Sequence, residues 1–221
     1  MIYVYAICDA DGGWQEPARR GLGGAVVRAL EHDGLTALYS RHRRLRVRPR
    51  PELVLTHERV VEMAMARGTV LPLRFGTQLE HEEDLVRALS QRRERLLRGL
   101  DRVRGRVELG LRVFLIDQHR PRRQTPELTG REYLLGRVAD HRGGELAARD
   151  LHTPLASLAE DSVVRRPTAG AVFVASYLVA AETADTFRAR AGELSAGRRD
   201  IDVLITGPWP PYSFAENSDE A

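Results

Sequence analysis

The stretch "RGRVELGLRVFLI", residues 104–116, decides the fold. From Arg106 onward it reads as a strongly apolar strand. The "RGR" at its start interrupts a long helical pattern and predicts a domain boundary. From residue 117 onward the chain has a regular rhythm. A loop "DQHRPRRQTPEL" leads to Thr129 and Glu132, spaced as a capping box for a helix through "REYLLGRVADH". Further helix is expected through "ELAARDLHTPLASLAE", divided or kinked at Pro154. "DSVVRR" reads as a short strand, "AGAVFVASYLVA" as a longer one, "ETADTFRARAGELSAG" as an amphipathic helix and "IDVLIT" as a last strand. The order β-α-β-β-α-β is the split βαβ pattern of a ferredoxin-like fold with an enlarged first helical region.

Upstream, "IYVYAIC" alternates large apolar residues as a strand does, and "AVVRALEHDGLTALYS" reads as a hairpin, because Asp-Gly accepts the positive φ angles of a tight turn. "ELVLTHERVVEMAMARG" sets Leu53, His57, Val60, Val61 and Ala64 on one helical stripe, with Pro51 near its start and Gly68 as a stop. "TVLPLRFGT" returns to period two, with Leu71, Leu73 and Phe75 on one face; Pro72 predicts an edge strand or a bulge. Thr77 and Glu80 fit a capping box for a helix reaching about Arg104, with Leu85, Leu89, Leu96, Leu100 and Val103 buried and Arg92, Arg93, Arg95 and Arg98 in water. The expected fold class is α+β in two domains. Residues 1–105 form a mixed α/β sheet domain, 106–214 the ferredoxin-like domain with a closing Pro/aromatic segment, and 215–221 a flexible tail.

The 221 residues carry a formal charge of +3, with 43% hydrophobic and 29% charged side chains. That is ordinary globular usage, without the run of roughly 18 apolar residues that a membrane span requires. "MIYVYAICDADGG" reads as a first strand rather than a signal peptide, so a cytoplasmic location is expected. The one cysteine, Cys8, excludes a disulfide framework within the chain and fits a small core residue. All 34 basic residues are arginine. Residues 1–105 hold 19 of them against 14 acidic residues, while the remainder hold 15 against 17. A basic half beside an acidic half suits protein contacts better than nucleic acid, which calls for one concentrated basic face.

Chemical motifs fail on their spacing. "GLGG" at 21–24 lacks the third glycine of a dinucleotide loop, because Val26 stands there, and reads as a flexible loop. "THERVVE" has Val61 where a zinc helix needs a second histidine, which leaves His57 to packing or surface polarity. His141 and His152 could meet through adjacent helices, yet no pattern sets metal-ligand spacing. There is no "GxSxG" elbow, and the carboxylate pairs Glu82 with Glu83 and Asp200 with Asp202 sit at helix starts and strand edges, where negative charge is expected. Catalytic, cofactor-binding and metal residues are therefore predicted to be none. "AVFVASYLVA" lacks the basic, glycine-rich pattern of RNA-stacking sheets. In "RHRRLRVRPR", Arg44, Arg46, Arg48 and Arg50 alternate and would share one side of an extended chain; they read either as a charged edge that resists aggregation or as a site for an acidic partner.

The close of the chain, "ITGPWPPYSF" at 205–214, holds Pro208, Pro210 and Pro211 among three aromatics. Gly207 and Pro208 are expected to stop the last strand and the rest to run extended. Trp209 is expected to be buried between the two domains, with Tyr212 and Phe214 more exposed as partner contacts.

Together, "VLPLRFGT", "GRVELGLRVFL", "LTGREYL" and above all "TGPWPPYSF" resemble the gas vesicle protein L/F family (GvpL/GvpF), nearly end to end in motif order. Arg74, Phe75 and Gly76 belong to the first motif; Gly207, Pro208, Trp209, Pro210 and Pro211 belong to the last. The 41–50 linker is more basic than that family suggests, and the tail "AENSDEA" is poorly defined. The resemblance implies a non-enzymatic accessory protein with two α+β domains, located on or inside the gas vesicle. It also implies binding to the small hydrophobic shell protein and to other accessory proteins, as chaperone, nucleator or minor wall component. Arg44, Arg46, Arg48, Tyr212 and Phe214 are the expected partner-binding residues, with no membrane or nucleic-acid partner; the sequence sets no oligomeric state. The competing reading is a ferredoxin-like small-ligand or RNA-binding domain.

Overall fold

The computed structural model describes residues 1–10, 20–44, 47–116, 148–167 and 170–215. It is mixed α/β, with two antiparallel sheets and helices against them. The chain divides into two compact units, one of Met1–Arg106 together with the segment from Trp209 onward, the other of Val107–Pro208.

In the first unit, β1 (Ile2–Asp9) is central and buried along nearly its whole length. On one side it pairs with β3 (Leu35–Arg41), which carries the outer strand β2 (Val27–His32). On the other it pairs with β4 (Val70–Pro72) and, through Ile2 and Tyr3, with β5 (Gln78–Leu79). The β2–β3 hairpin turns at Asp33 and Gly34, with φ of 49° and 81°, as Asp-Gly predicts. β4 is an edge strand, so Pro72 removes no ladder bond from an interior strand.

Two helices pack on this sheet. α1 (Pro51–Met65) begins at its proline and buries His57, Val60, Val61 and Ala64, the stripe read from the sequence. α2 (Glu82–Val103) buries Leu85, Leu89, Leu100 and Val103 and exposes Arg92, Arg93, Arg95 and Arg98. Gly99 lets α2 lie close to β4, since a Cβ there would stand 3.0 Å from a Leu71 methyl. The α2 cap differs from the expected one. Thr77 Oγ1 donates to Arg74 O at 2.8 Å and residues 78–79 pair with β1, so neither Thr77 nor Glu80 starts the helix. His81 is the N-cap instead, in a reciprocal box in which its backbone N–H donates to Asp84 Oδ2 at 3.1 Å. The strand expected through Phe75 ends at Pro72, because residues 74–77 close a turn in which Gly76 takes φ 98°.

The second unit contains β6 (Arg106–Leu115), α3 (148–156), β7 (Asp161–Arg165), β8 (Phe173–Ala180), α4 (Ala184–Ser195) and β9 (Ile201–Trp209). The strand order is β7-β8-β6-β9. Leu109, Leu111 and Val113 from β6, Leu151 and Leu155 from α3, Tyr177 from β8 and Phe187 from α4 are fully buried and form its core. α3 continues through Pro154 instead of being divided there. The Thr129/Glu132 cap, the "REYLLGRVADH" helix and the 215–221 tail beyond Ala215 lie outside the described residues.

The last strand runs three residues farther than expected. β9 continues through Gly207, with φ 106°, and a cis Gly207–Pro208 bond to Trp209. An edge position permits proline, and Arg188 Nη2 donates to Gly207 O at 2.8 Å, tying the strand to α4. The segment then coils instead of extending. α5 (Tyr212–Ala215) is a single turn in which the N–H groups of Phe214 and Ala215 donate to Pro211 O at 3.1 and 2.9 Å. Prolines at a helix start lose nothing, because the first N–H groups have no intrahelical acceptor.

Candidate functional site

Two hydroxyls on β1 and one imidazole on α1 organise the first unit. Tyr3, Tyr5 and His57 are fully buried, with ring centroids 4.9 to 5.7 Å apart. Gly76 N–H donates to the Tyr3 hydroxyl at 3.0 Å, and the hydroxyl stands 2.9 Å from His57 Nδ1. His57 Nε2 lies 3.0 Å from the carbonyl of Leu73, which only accepts. The imidazole is therefore the Nε2–H tautomer, and Tyr3 donates to its Nδ1. Burial pushes His57 down to about 4 and Tyr3 up to about 12, so both are neutral across the physiological range. This relay holds Leu73 O and Gly76 N, the two flanks of Arg74 and Phe75. The "LRFGT" motif is thus a loop strapped to the core, with Phe75 edge-on to Tyr3 and His57 and the Arg74 side chain exposed.

Tyr5 does the same for the glycine loop. Its hydroxyl accepts from Leu22 N–H at 2.9 Å and bonds Ser40 Oγ at 2.8 Å. A Cβ at Gly21 would stand 2.0 Å from that oxygen, so the loop's glycine serves a close approach to a tyrosine rather than to a phosphate.

The closing segment docks on the same cluster. Phe214 is 1% exposed, α5 packs on α2 and β4, and the Arg102 guanidinium lies 5.9 Å from the Phe214 ring centre. Pro210 and Pro211 are buried. Tyr212 tilts against His57 at 6.4 Å, and its buried hydroxyl sits beside Glu58 without meeting hydrogen-bond geometry. Burial raises both groups, and the Glu58 charge adds to the rise at Tyr212. Trp209 is 45% exposed. The expected order of burial is therefore reversed: Phe214 is the anchor and Trp209 the exposed ring. A four-residue helical turn sets Phe214 inward, whereas Trp209 still belongs to a strand edge. Proline and aromatic content could signal docking, but not which ring docks.

Arg44 and Arg48 are exposed, in a segment that forms no strand among the described residues, and Arg46 lies outside those residues. Cys8 is fully buried and its thiol is pushed up by that burial, as a small core residue should be. His152 Nδ1 is 2.9 Å from the Tyr177 hydroxyl; His141 lies outside the described residues. Glu82 receives a two-pronged contact from Arg41, and Asp200 pairs with Arg198 at 3.2 Å. Among the described residues, no group of three or more His, Cys, Asp or Glu gathers to hold a metal ion. A shallow cleft of about 390 Å³ between Met1, residues 41–43 and the acidic start of α2 mixes both signs of charge. No described helix is long and apolar enough to cross a membrane.

The site's two straps, "LRFGT" and "PWPPYSF", stand within a chain that matches the family model "Gas vesicle synthesis protein GvpL/GvpF" over residues 1–216. The chain is 29% identical to gas vesicle protein L of a Streptomyces species, an alignment covering 100% of this chain and 94% of that protein. It is 28% identical to gas vesicle protein F of the same strain, covering 97% and 99%. Among solved structures, GvpF from an Anabaena species superposes with TM-score 0.79 at 22% identity, over 98% of this chain and 96% of that one. GvpF from Microcystis aeruginosa gives 0.76 at 20%, over 98% and 99%.

Proposed function

The chain belongs to the GvpL/GvpF family of gas vesicle synthesis proteins, and from that premise we propose that this gas vesicle accessory protein binds the small hydrophobic shell subunit during vesicle formation. Its action is non-enzymatic, in the prokaryotic cytoplasm and at the vesicle. Covering an apolar shell subunit until it is incorporated would suppress its aggregation. We read Val107–Pro208 as the ferredoxin-like unit, supported by its element order and by the strand order β7-β8-β6-β9.

The observation that carries the binding role is Trp209, an indole held 45% in solvent while Pro210, Pro211 and Phe214 beside it are buried. A rigidly mounted aromatic loses little entropy when a partner covers it. Arg44 and Arg48, both exposed, supply positive charge for acidic accessory partners, and Arg46 adds a third arginine between them in sequence.

Co-expression with the shell protein of the same gene cluster, followed by affinity capture, tests this reading. The parent chain should retain the shell protein, and Trp209→Ala should reduce retention about tenfold or more, as loss of an aromatic hot spot does. Failure of the folded parent chain to retain any shell protein overturns the role. Equal capture by Trp209→Ala removes Trp209 from it.

A further inference from the structure

β7 is an outer strand whose one sheet neighbour among the described residues is β8. Its sequence context, "EDSVVRR" at 160–166, has a property that pairing with β8 does not use: it is charge-palindromic. We propose that β7 pairs with β7 of a second copy of this chain, antiparallel about a two-fold axis at Val163.

In that register Glu160 faces the second copy's Arg166, Asp161 faces its Arg165, Ser162 faces its Val164 and Val163 faces itself. Each relation is repeated by symmetry, so four ion pairs form and no like charges meet. An isologous two-fold contact needs this self-complementarity. Side chains alternate across a strand, so the Asp161–Arg165 pairs lie on the same face of the joined sheet as Val163, while Glu160 and Arg166 flank the strand ends. Directly opposed opposite charges favour strand pairing, and directly opposed like charges disfavour it.

The strand has exposed positions for such a neighbour, and pairing would exchange one local contact, Ser162 N–H donating to Asp161 Oδ1 at 2.7 Å. Val164 is 53% exposed, and Glu160, Arg165 and Arg166 are exposed too. The ladder with β8 begins at Asp161, paired with Leu178, and Glu160 N–H donates to that same Leu178 carbonyl at 2.9 Å, so Glu160 flanks the ladder instead of continuing its register. Pro167 has no N–H and ends the pairing segment beyond Arg166. A five-residue strand pair with one flanking residue at each end covers less than the roughly 1,600 Å² of a standard stable interface, so this dimer is weak and forms where copies are concentrated.

Charge swapping tests the proposal. Glu160→Arg with Asp161→Arg places like charges at all four positions of the self-pair, and so does Arg165→Glu with Arg166→Glu. The expected result in sedimentation equilibrium is a concentration-dependent dimer for the parent chain and self-association about tenfold or more weaker for each variant alone. An equimolar mixture of the two variants should dimerise again, because every facing pair is then opposite in sign. Circular dichroism and melting curves like the parent's establish that both variants fold. A parent chain that stays monomeric to its solubility limit overturns the proposal and leaves these charges as guards against edge pairing. A dimer unchanged in both variants, or no recovery on mixing, overturns it too.

Discussion

The protonation state of His57 offers a quantitative test of the first unit. Its pKa is about 4 in the folded chain, against 6.5 for an ordinary histidine, because burial disfavours the imidazolium by more than the Leu73 carbonyl at Nε2 favours it. The folded state therefore binds this proton less readily than the unfolded state. The contribution is fully present above pH 6.5 and is lost as pH falls towards 4. With about 1.36 kcal/mol per pKa unit, the loss between pH 7.5 and pH 4.5 comes to about 2.5 kcal/mol. His57→Gln removes the titration while keeping one acceptor and one donor. Urea unfolding of parent and variant at several pH values should show the parent losing about 2.5 kcal/mol more than the variant over that window. Comparing the two chains cancels the other titrating groups, including Glu58, whose raised pKa acts in the opposite direction. Parallel stability curves for the two chains would refute the buried, neutral assignment and the tautomer built on it.

The Pro/aromatic segment predicts opposite effects for its two ends: Phe214→Ala should cost about 3 to 5 kcal/mol in denaturant unfolding, as truncation of a buried aromatic does, and Trp209→Ala less than about 1 kcal/mol. A comparable loss at both positions would contradict the burial order. Gly21→Ala drives a methyl into the Tyr5 hydroxyl and should destabilise by about 1 to 3 kcal/mol, whereas Gly23→Ala, with open space around it but φ at 59°, should cost only the strain of a left-handed backbone; melting curves of the pair separate clash from strain. Arg44→Gln with Arg48→Gln should leave the melting temperature nearly unchanged, since exposed charges contribute little to folding, and should abolish a salt-sensitive component of binding to acidic accessory partners. A large drop in melting temperature would mean that these arginines are held within the fold.

Elements with a single period are legible in the sequence. The α1 stripe, the Asp-Gly hairpin and the arginine face of α2 depend on local spacing, and each is found where spacing puts it. The features that spacing misses are set by competition for the same groups. Thr77 looks like a cap until its hydroxyl is seen to serve the Arg74 carbonyl, and only then does the unusual His81 cap make sense. His57 is readable as a core residue, but its relay between Tyr3 and Leu73 joins positions 54 and 16 residues apart, a relation no motif records. The burial of Trp209 is misjudged from sequence because ring area measures how much a side chain gains from docking, not whether the backbone aims it inward. The cue that corrects this is Pro210-Pro211 followed by four non-proline residues, a helix-start pattern that turns the chain and carries Phe214 to the other side.

The return of Trp209–Ala215 to the first unit has a kinetic consequence. α2 and β4 are synthesised more than one hundred residues before the phenylalanine that packs beside them, and the second unit's sheet lies between the two in sequence. A chain emerging vectorially can therefore form the β1–β3 sheet early and must keep the Phe214 socket vacant while Val107–Pro208 is made. Closing that socket is the highest contact-order step of the first unit and should be among its slowest. A nascent or truncated chain that lacks residues 209–215 would display the socket's apolar lining to chaperones and proteases, while the mature fold conceals it beneath a single helical turn.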